Sequence, residues 1–388
     1  MLKRSRHPLV EQAVEFSETH IRPYASQFDQ DRGIPRELIQ QMANAGFLGS
    51  ILPKEYGGQG LNPLDYGYLT QAIGKGCSSA RTLLTVHTSL VGETLVKLGT
   101  PAQKDHYLAD IASGKKIACF ALSEPAAGSD AASIQTSYQK QDDGFVIDGC
   151  KHWISFGNIS DIFLVFAQSD ENISTFLVER DMPGVSTTAM TNVMAGRGSH
   201  LGKIKFDKVT VPKENLVGRL GMGFSFVANT ALFYGRYSIA WAGCALAQAA
   251  LEEMVSYARK REQFSVKIAQ HQLVQGIIAD AVTQLHVGRN TCEKIAQMRI
   301  DNDDDAVTET NIAKLFTSRM AMQVATQAVQ ILGANGFSED YPVERLFREA
   351  KVLEVIEGSS QIQQQMIAQY GLTKYFRKPL KEGSERCV

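Results

Sequence analysis

An α+β fold, helical at both ends and β-rich in the middle, is what this sequence predicts. Three observations carry it. Apolar residues recur at helical spacing through residues 1–115, short apolar runs broken by turn formers fill 116–218, and the helical period returns over 219–373. A polar, charged tail follows at 374–388. At 388 residues the chain suits about two to three domains of roughly 150 residues.

In the first segment Leu9, Val14, Phe16, Ile21 and Tyr24 repeat as a helix face would. Pro35 is placed to open a second helix as its first residue. That helix, 37–48, carries Leu38, Ile39, Met42 and Ala45 and should stop near Gly46 and Gly49. Residues 52–60, Leu-Pro-Lys-Glu-Tyr-Gly-Gly-Gln-Gly, read as a loop, and helical patterns resume over 64–108. In the middle segment the runs 117–122, 145–147, 162–167, 175–178 and 204–211 follow one another without long helices between them. A barrel or sandwich of about 100 residues, closing near Val211 and Pro212, fits them. In the last segment 239–261 is dense in alanine and glycine, which permits close helix contact, and 271–299 and 309–332 read as two more long helices. The acidic run 301–305 lacks the alternating Asp/Asn and Gly of a calcium loop, so it reads as a solvated turn.

Composition excludes several classes. Forty Lys plus Arg against 41 Asp plus Glu leaves a net charge of −1, which gives no general pull toward nucleic acid or an anionic membrane. Cys77, Cys119, Cys150, Cys244, Cys292 and Cys387 form no C-x-x-C pair, so free thiols in a reducing compartment are expected, and no metal site. The basic start runs straight into an amphipathic pattern, without the apolar core of a signal peptide. No apolar run approaches the roughly 18 residues of a spanning helix. A cytoplasmic protein is the expectation.

Four segments could carry chemistry. Residues 119–130 end a strand and enter a small-residue loop, where Ser123, Ser129 and backbone N–H groups could meet an anion, although a structural turn would look the same. Trp153 lies on a strand beside Ser155, and a buried core tryptophan is the plain alternative. Arg236 opens a long helix and Arg261 follows at its far end. Both could be surface residues, or could hold a carboxylate or phosphate. Glu357 follows the largely apolar stretch 352–356 and precedes Gly358. An apolar wall would raise its pKa and make it a competent base; the alternative is an acid at a helix N-terminus.

These segments together resemble the acyl-CoA dehydrogenase family of flavoproteins. Eight motifs occur in the family's order: Arg22-Pro23, Pro35, the loop 52–60, Ser123-Glu-Pro-Ala-Ala-Gly-Ser-Asp130, Trp153-Ile-Ser155, Arg261-Glu-Gln-Phe264, Tyr341-Pro-Val-Glu-Arg345 and Glu357-Gly-Ser359. The resemblance covers nearly the whole chain. It implies an N-terminal helical domain, a middle β-barrel and a C-terminal four-helix bundle, with FAD as cofactor. Phe120, Leu122, Ser123, Trp153 and Ser155 match positions that line and hydrogen-bond the isoalloxazine, and Ser129 the serine at the pyrophosphate. Arg261, Phe264, Gln272, Gln330 and Gly333 match positions that hold the adenosine half across a subunit interface, so a homodimer or dimer of dimers is implied. Ser359 and Gln361 match flavin contacts after the base. Glu357 matches the catalytic base of most members, with Arg236 as its electrostatic neighbour. Gly235 stands where some members carry the base instead. Two departures are Ile356, where the family commonly has Tyr, and Ala334, where it commonly has a second Gly.

Residues 234–241 and 353–360 resemble, within the family, the branch that oxidises carrier-protein thioesters to hydroxymalonyl or aminomalonyl extender units for polyketides. There Glu357 would take a hydroxyl proton from the hydrate of a 2-hydroxy- or 2-amino-3-oxopropionyl thioester as hydride leaves C3 for flavin N5. Lys203, Lys205 and Lys208 could meet an acidic carrier protein, or simply solvate a strand edge. The main rival is a short- or branched-chain acyl-CoA dehydrogenase that desaturates its substrate and passes electrons to an electron-transfer flavoprotein. A flavin monooxygenase on this fold often lacks the base glutamate, so Glu357 argues against it, and a nucleic-acid-associated relative would need a basic face or an added C-terminal domain.

Overall fold

The computed structural model describes residues 7–170 and 172–376. Helices α1 (Pro8–Phe16), α2 (Ala25–Gln30), α3 (Arg36–Asn44), α4 (Pro63–Gly76), α5 (Ser78–Leu83), α6 (Thr94–Leu98) and α7 (Pro101–Ala112) come first, with a π-helical stretch, Leu84–Glu93, joining α5 to α6. Local chemistry sets their starts. Asn62 caps α4 by accepting from the Asp65 N–H at 2.9 Å, and Thr100 and Gln103 form a reciprocal capping box on α7. Pro35 sits just outside α3, in extended conformation, rather than as its first residue. That helix also ends at Asn44, earlier than its apolar pattern suggested.

Eight strands form the middle sheet: β1 (Ala118–Ala121), β2 (Ser137–Gln141), β3 (Gly144–Ile154), β4 (Ile162–Ser169), β5 (Asn172–Glu179), β6 (Val185–Ala189), β7 (Gly202–Pro212) and β8 (Leu216–Val217). They are hydrogen-bonded in the order β6-β7-β3-β2-β4-β5-β8, and β1 runs parallel to β4. Residues from β3, β4, β5 and β7 all meet in one core cluster, so the sheet curls round it like a barrel. Strand β4 explains its own unbroken apolar run. Phe163, Val165 and Ala167 face that inner core, while Ile162, Leu164 and Phe166 pack outward against Leu95, Leu108 and Ile111 of the helical segment. Lys203, Lys205 and Lys208 lie on β7, which is flanked by β6 and β3 and is therefore not an edge strand; Lys205 pairs with Asp207 at 3.3 Å.

A π turn, Gly223–Ala228, leads into α8 (Asn229–Ala258). The hairpin β9 (Glu262–Gln263) and β10 (Val266–Lys267) follows, then α9 (Gln272–Ile300), α10 (Ala306–Leu332), α11 (Val343–Leu353) and α12 (Ser360–Lys374). Three long helices make most of the bundle, and the fourth place is shared by the shorter α11 and α12, which both pack on α10. The small residues of α8 do what their pattern implied. A Cβ on Gly243 would lie 2.5 Å from the Thr317 carbonyl oxygen, so only glycine lets α8 and α10 approach this closely. Residues of α4, α8, α10 and α11 share one large core, which welds the two helical regions together.

The run 301–305 forms the turn between α9 and α10, where Asp305 pairs with Lys374 at 3.0 Å. Cys77, Cys119, Cys150, Cys244 and Cys292 are free; Cys387 and the tail from 377 lie outside the described residues. Among the described residues, no helix is long and apolar enough to cross a membrane and no cluster of three metal-ligating side chains occurs.

Candidate active site

Between α11 and α12 the chain makes a strained turn. Glu357 has φ +55° and Gly358 φ +90°. A non-glycine residue in the left-handed region costs about 1 kcal/mol or more, and surrounding contacts must offset it. Here the donors are buried. Arg236 Nε donates to the Glu357 carbonyl at 3.0 Å, and Lys314 Nζ donates to the Gly358 carbonyl at 2.7 Å. Gln363 Nε2 reaches both carbonyls, at 3.2 and 3.3 Å, while Ser359 caps α12. Arg236 is not at a helix end: α8 begins seven residues earlier, so the guanidinium is buried in its second turn, with Nη1 on Asn311 Oδ1 at 3.2 Å.

These cations hold the main chain of the turn. The Glu357 carboxyl lies elsewhere, with Oε2 sealed from solvent and without a hydrogen-bond partner. Burial lifts its pKa to about 7, against the pull of Arg236, Lys314 and Arg81. Burial also lowers Lys314, to about 8. The carboxyl sits over a notch in α8: a Cβ on Gly235 would lie 2.5 Å from Oε2 and 2.7 Å from Leu90 Cδ2. A base must be unprotonated to act. The rate of substrate oxidation, as kcat/KM, is therefore expected to rise about tenfold per pH unit below about pH 7 and to level off above it. A kcat/KM profile flat across that range would remove Glu357 from the role.

A cavity of about 490 Å³ opens beside this turn, bordered by Arg81 and Thr82, by Trp153 and Ser155, by the loop 192–196, and by Val352 and Ile356. Trp153 is not a core residue. Its ring is 55% exposed and its φ is +62°, where the β3–β7 register shifts between Lys151 and Ile154. The bulge turns the ring outward at the cavity wall. Behind it Lys151, fully buried, donates to Glu124 Oε1 at 2.6 Å and to the Leu122 carbonyl at 3.0 Å, tying β3 to the end of β1. Arg348 Nη1 on the Met194 carbonyl, 2.9 Å, and Nη2 on Asp29 Oδ2, 2.8 Å, fasten the rim loop to α11 and α2.

Trp153 and Ser155 thus come together with the Glu357 turn. Phe120 lies half-buried on β1 against Phe166, ring centroids 5.0 Å apart. Leu122 is buried and Ser123 half-buried, its carbonyl accepting from the His152 N–H at 2.9 Å, whereas Ser129 is exposed on the loop beyond. Ser359 is half-buried and Gln361 exposed at the start of α12. Arg261, Phe264, Gln272, Gln330 and Gly333 are exposed and do not border the cavity. Phe264 sits at the hairpin tip and Gly333, φ +62°, follows α10. Three buried groups escaped the sequence reading: Lys151, Lys314 and Arg81. For Arg81 a signal existed, a lone charge inside the apolar and hydroxyl-bearing run 78–85.

The sequence profiles of the acyl-CoA dehydrogenase N-terminal, middle and C-terminal domains match residues 5–115, 119–209 and 221–372. The chain belongs to the acyl-CoA dehydrogenase family. This dehydrogenase is 34% identical over 374 residues to the 3-(aryl)acrylate reductase of Clostridium sporogenes, covering 95% of this chain and 99% of that protein. It is 34% identical over 379 residues to the human mitochondrial short-chain specific acyl-CoA dehydrogenase, covering 96% and 92%. Among solved structures, butyryl-CoA dehydrogenase from Megasphaera elsdenii superposes with a TM-score of 0.91 at 31% identity, covering 94% of this chain and 97% of that one. FkbI, described as serving biosynthesis of the methoxymalonyl extender unit of the FK520 polyketide, gives 0.86 at 30%, covering 94% and 99%.

Members of the family are FAD-dependent oxidoreductases acting on acyl thioesters. The residues here fit that cofactor: a strained bulge holds a large aromatic ring at a cavity wall, beside a hydroxyl, and the same cavity is bordered by Val355 and Ile356, which lead into Glu357.

Proposed function

We propose that this dehydrogenase desaturates a short acyl thioester between its α and β carbons, with Glu357 as the base that removes the α-proton. The observation that supports it most is the Glu357 carboxyl, whose Oε2 is sealed over the Gly235 notch and whose pKa burial lifts to about 7. FAD, when bound, supplies the two-electron acceptor. Trp153 and Ser155 would form its wall, with Phe120, Leu122, Ser123 and Ser129 along one side and Ser359 and Gln361 after the base. Arg236 and Lys314 position the base by holding its backbone. Leu90, buried against the carboxyl, and the partly buried Ile356 at the cavity wall would limit the access of water to the proton transfer. The short-chain and butyryl-CoA relatives support the substrate size.

A homo-oligomer is part of this reading. Phe264 and Leu273 are 91% and 86% exposed beside Arg261 and Gln272, an apolar surface that a second subunit would cover while its neighbours meet the adenosine half of the cofactor. An electron-transfer flavoprotein is the proposed electron acceptor.

A second reading is supported by the likeness to FkbI and by the buried Arg81. In it Glu357 takes the proton of a hydrate hydroxyl on a carrier-bound 3-oxopropionyl thioester, and a carboxylate results. Anaerobic bleaching of the flavin absorbance separates the two. The panel holds butyryl-CoA, isobutyryl-CoA, and glyceryl- or seryl-carrier protein supplied with its 3-hydroxyacyl dehydrogenase. Bleaching by the acyl-CoAs is expected. Bleaching by the carrier-bound substrates alone would replace the first reading with the second, and bleaching by neither would overturn both.

A further inference from the structure

Arg81 lies on α5 and is 1% exposed. Burying a guanidinium is costly unless an anion compensates it. The partners here are neutral. Nη1 donates to Thr85 Oγ1 at 2.7 Å and to Ser238 Oγ at 3.4 Å, and Nη2 donates to Thr82 Oγ1 at 3.3 Å. Nε has no partner and is sealed from solvent. Among the described residues no carboxylate oxygen forms an ion pair with it; Glu349 and Glu357 act on it only at longer range. The other two cations of the site are committed, Arg236 and Lys314 each to a carbonyl of the Glu357 turn. Arg81 stays charged at neutral pH, since burial lowers its pKa only to about 10.

Position makes this charge informative. Arg81 and Thr82 border the cavity of about 490 Å³ that Trp153, Ser155 and Ile356 also border. Three hydroxyls fix the guanidinium plane and contribute no negative charge, so a fixed cation stands in the wall of a cavity that the buried Glu349 also borders, with no carboxylate among the described residues in contact with it. An acyl chain that enters with a methyl end would leave the charge uncompensated. A carboxylate end would pair with it in a dry site, where charge-assisted hydrogen bonds are strong.

We propose that Arg81 is the anion subsite of this cavity and selects short acyl thioesters whose far end is a carboxylate. This rests on the acyl-thioester reading above and narrows its substrate class. The carboxylate can arrive with the substrate, as in a dicarboxylic monothioester, or be formed by the oxidation, as in a malonyl-type product.

Two near-isosteric pairs test it on the FAD-loaded enzyme: succinyl-CoA against butyryl-CoA, and malonyl-CoA against propionyl-CoA. Dissociation constants are read anaerobically by calorimetry. The acidic member of at least one pair is expected to bind about tenfold or more tightly than its neutral partner. Preference in the succinyl pair points to a dicarboxylic substrate, and preference confined to the malonyl pair points to an acidic product. R81Q should erase the preference with FAD content unchanged, and R81K should restore part of it. Neutral members binding as well as acidic ones to the unaltered enzyme would overturn the proposal, with no variant needed. So would a preference that survives in R81Q, or loss of FAD from R81Q with the preference intact, which would assign the guanidinium to the cofactor. Butyryl-CoA bleaching that depends on Glu357 would stand in any of those cases, so the two readings fail separately.

Discussion

Glu357→Gln is expected to slow flavin reduction by about 10²- to 10⁴-fold while leaving the fold and the FAD content intact. The amide has the shape of the carboxylic acid and cannot accept the proton. Its mounting should survive, because Arg236, Lys314 and Gln363 grip the carbonyls of Glu357 and Gly358 rather than the side chain. Oε2 has no hydrogen-bond partner to lose. The variant should also lose the rise of kcat/KM through about pH 7, since the titrating group is gone. Stopped-flow bleaching with the substrate that reduces the unaltered enzyme reads the rate. Retention of more than about a tenth of it would move the base elsewhere.

Gly235→Ala should cost nearly as much by geometry alone. The new methyl would lie 2.5 Å from Glu357 Oε2 and 2.7 Å from Leu90 Cδ2, both too close to tolerate. Leu90 is 1% exposed in a packed core and has little room. The carboxyl must therefore swing away from the notch or its turn must open. Opening is resisted by three donors on two consecutive carbonyls. A displacement of about 1 Å in a positioned group can cost about 10²-fold in rate, and overpacking of this kind about 1–3 kcal/mol in stability. Steady-state kcat and the denaturation midpoint, measured together, check both. Full activity with an unchanged pH profile would show that Glu357 works from a different rotamer.

The fold class was legible because its signals are local. The period changes of 3.6 to 2 and back to 3.6 mark where helix gives way to strand, and β4 kept an unbroken apolar run because both its faces are buried. Ends of elements were less so: α3 stops at Asn44 although apolar residues continue to Leu48. Arg236 looked like a helix-end residue because the π turn at Gly223–Ala228 hides how early α8 begins. For Trp153 a buried core position stood as the alternative, and the β3–β7 register shift, which no local pattern announces, is what turns it outward. The motif residues Arg261, Phe264, Gln272, Gln330 and Gly333 carry no local signal of purpose, being exposed in a single chain. Lys314 was illegible for the opposite reason, since its meaning lies in what α10 packs against, and for Arg81 the lone charge in the run 78–85 marked a position without saying what it faces.

Strand β4 has a consequence for how the molecule comes apart. Its alternate side chains belong to two different cores, one inside the sheet and one shared with α7 and the π-helical stretch. It is a party wall, and neither room can be emptied without exposing it. The barrel-like sheet and the helices beneath it are then a single foldon, whose amides exchange with solvent only when the two cores open at once. Trp153 projects from that foldon, while Glu357 hangs from the helical bundle. The π-helical stretch that this foldon includes also packs into the core of the bundle, so the two walls of the cavity are held in register through shared helices rather than left to move apart.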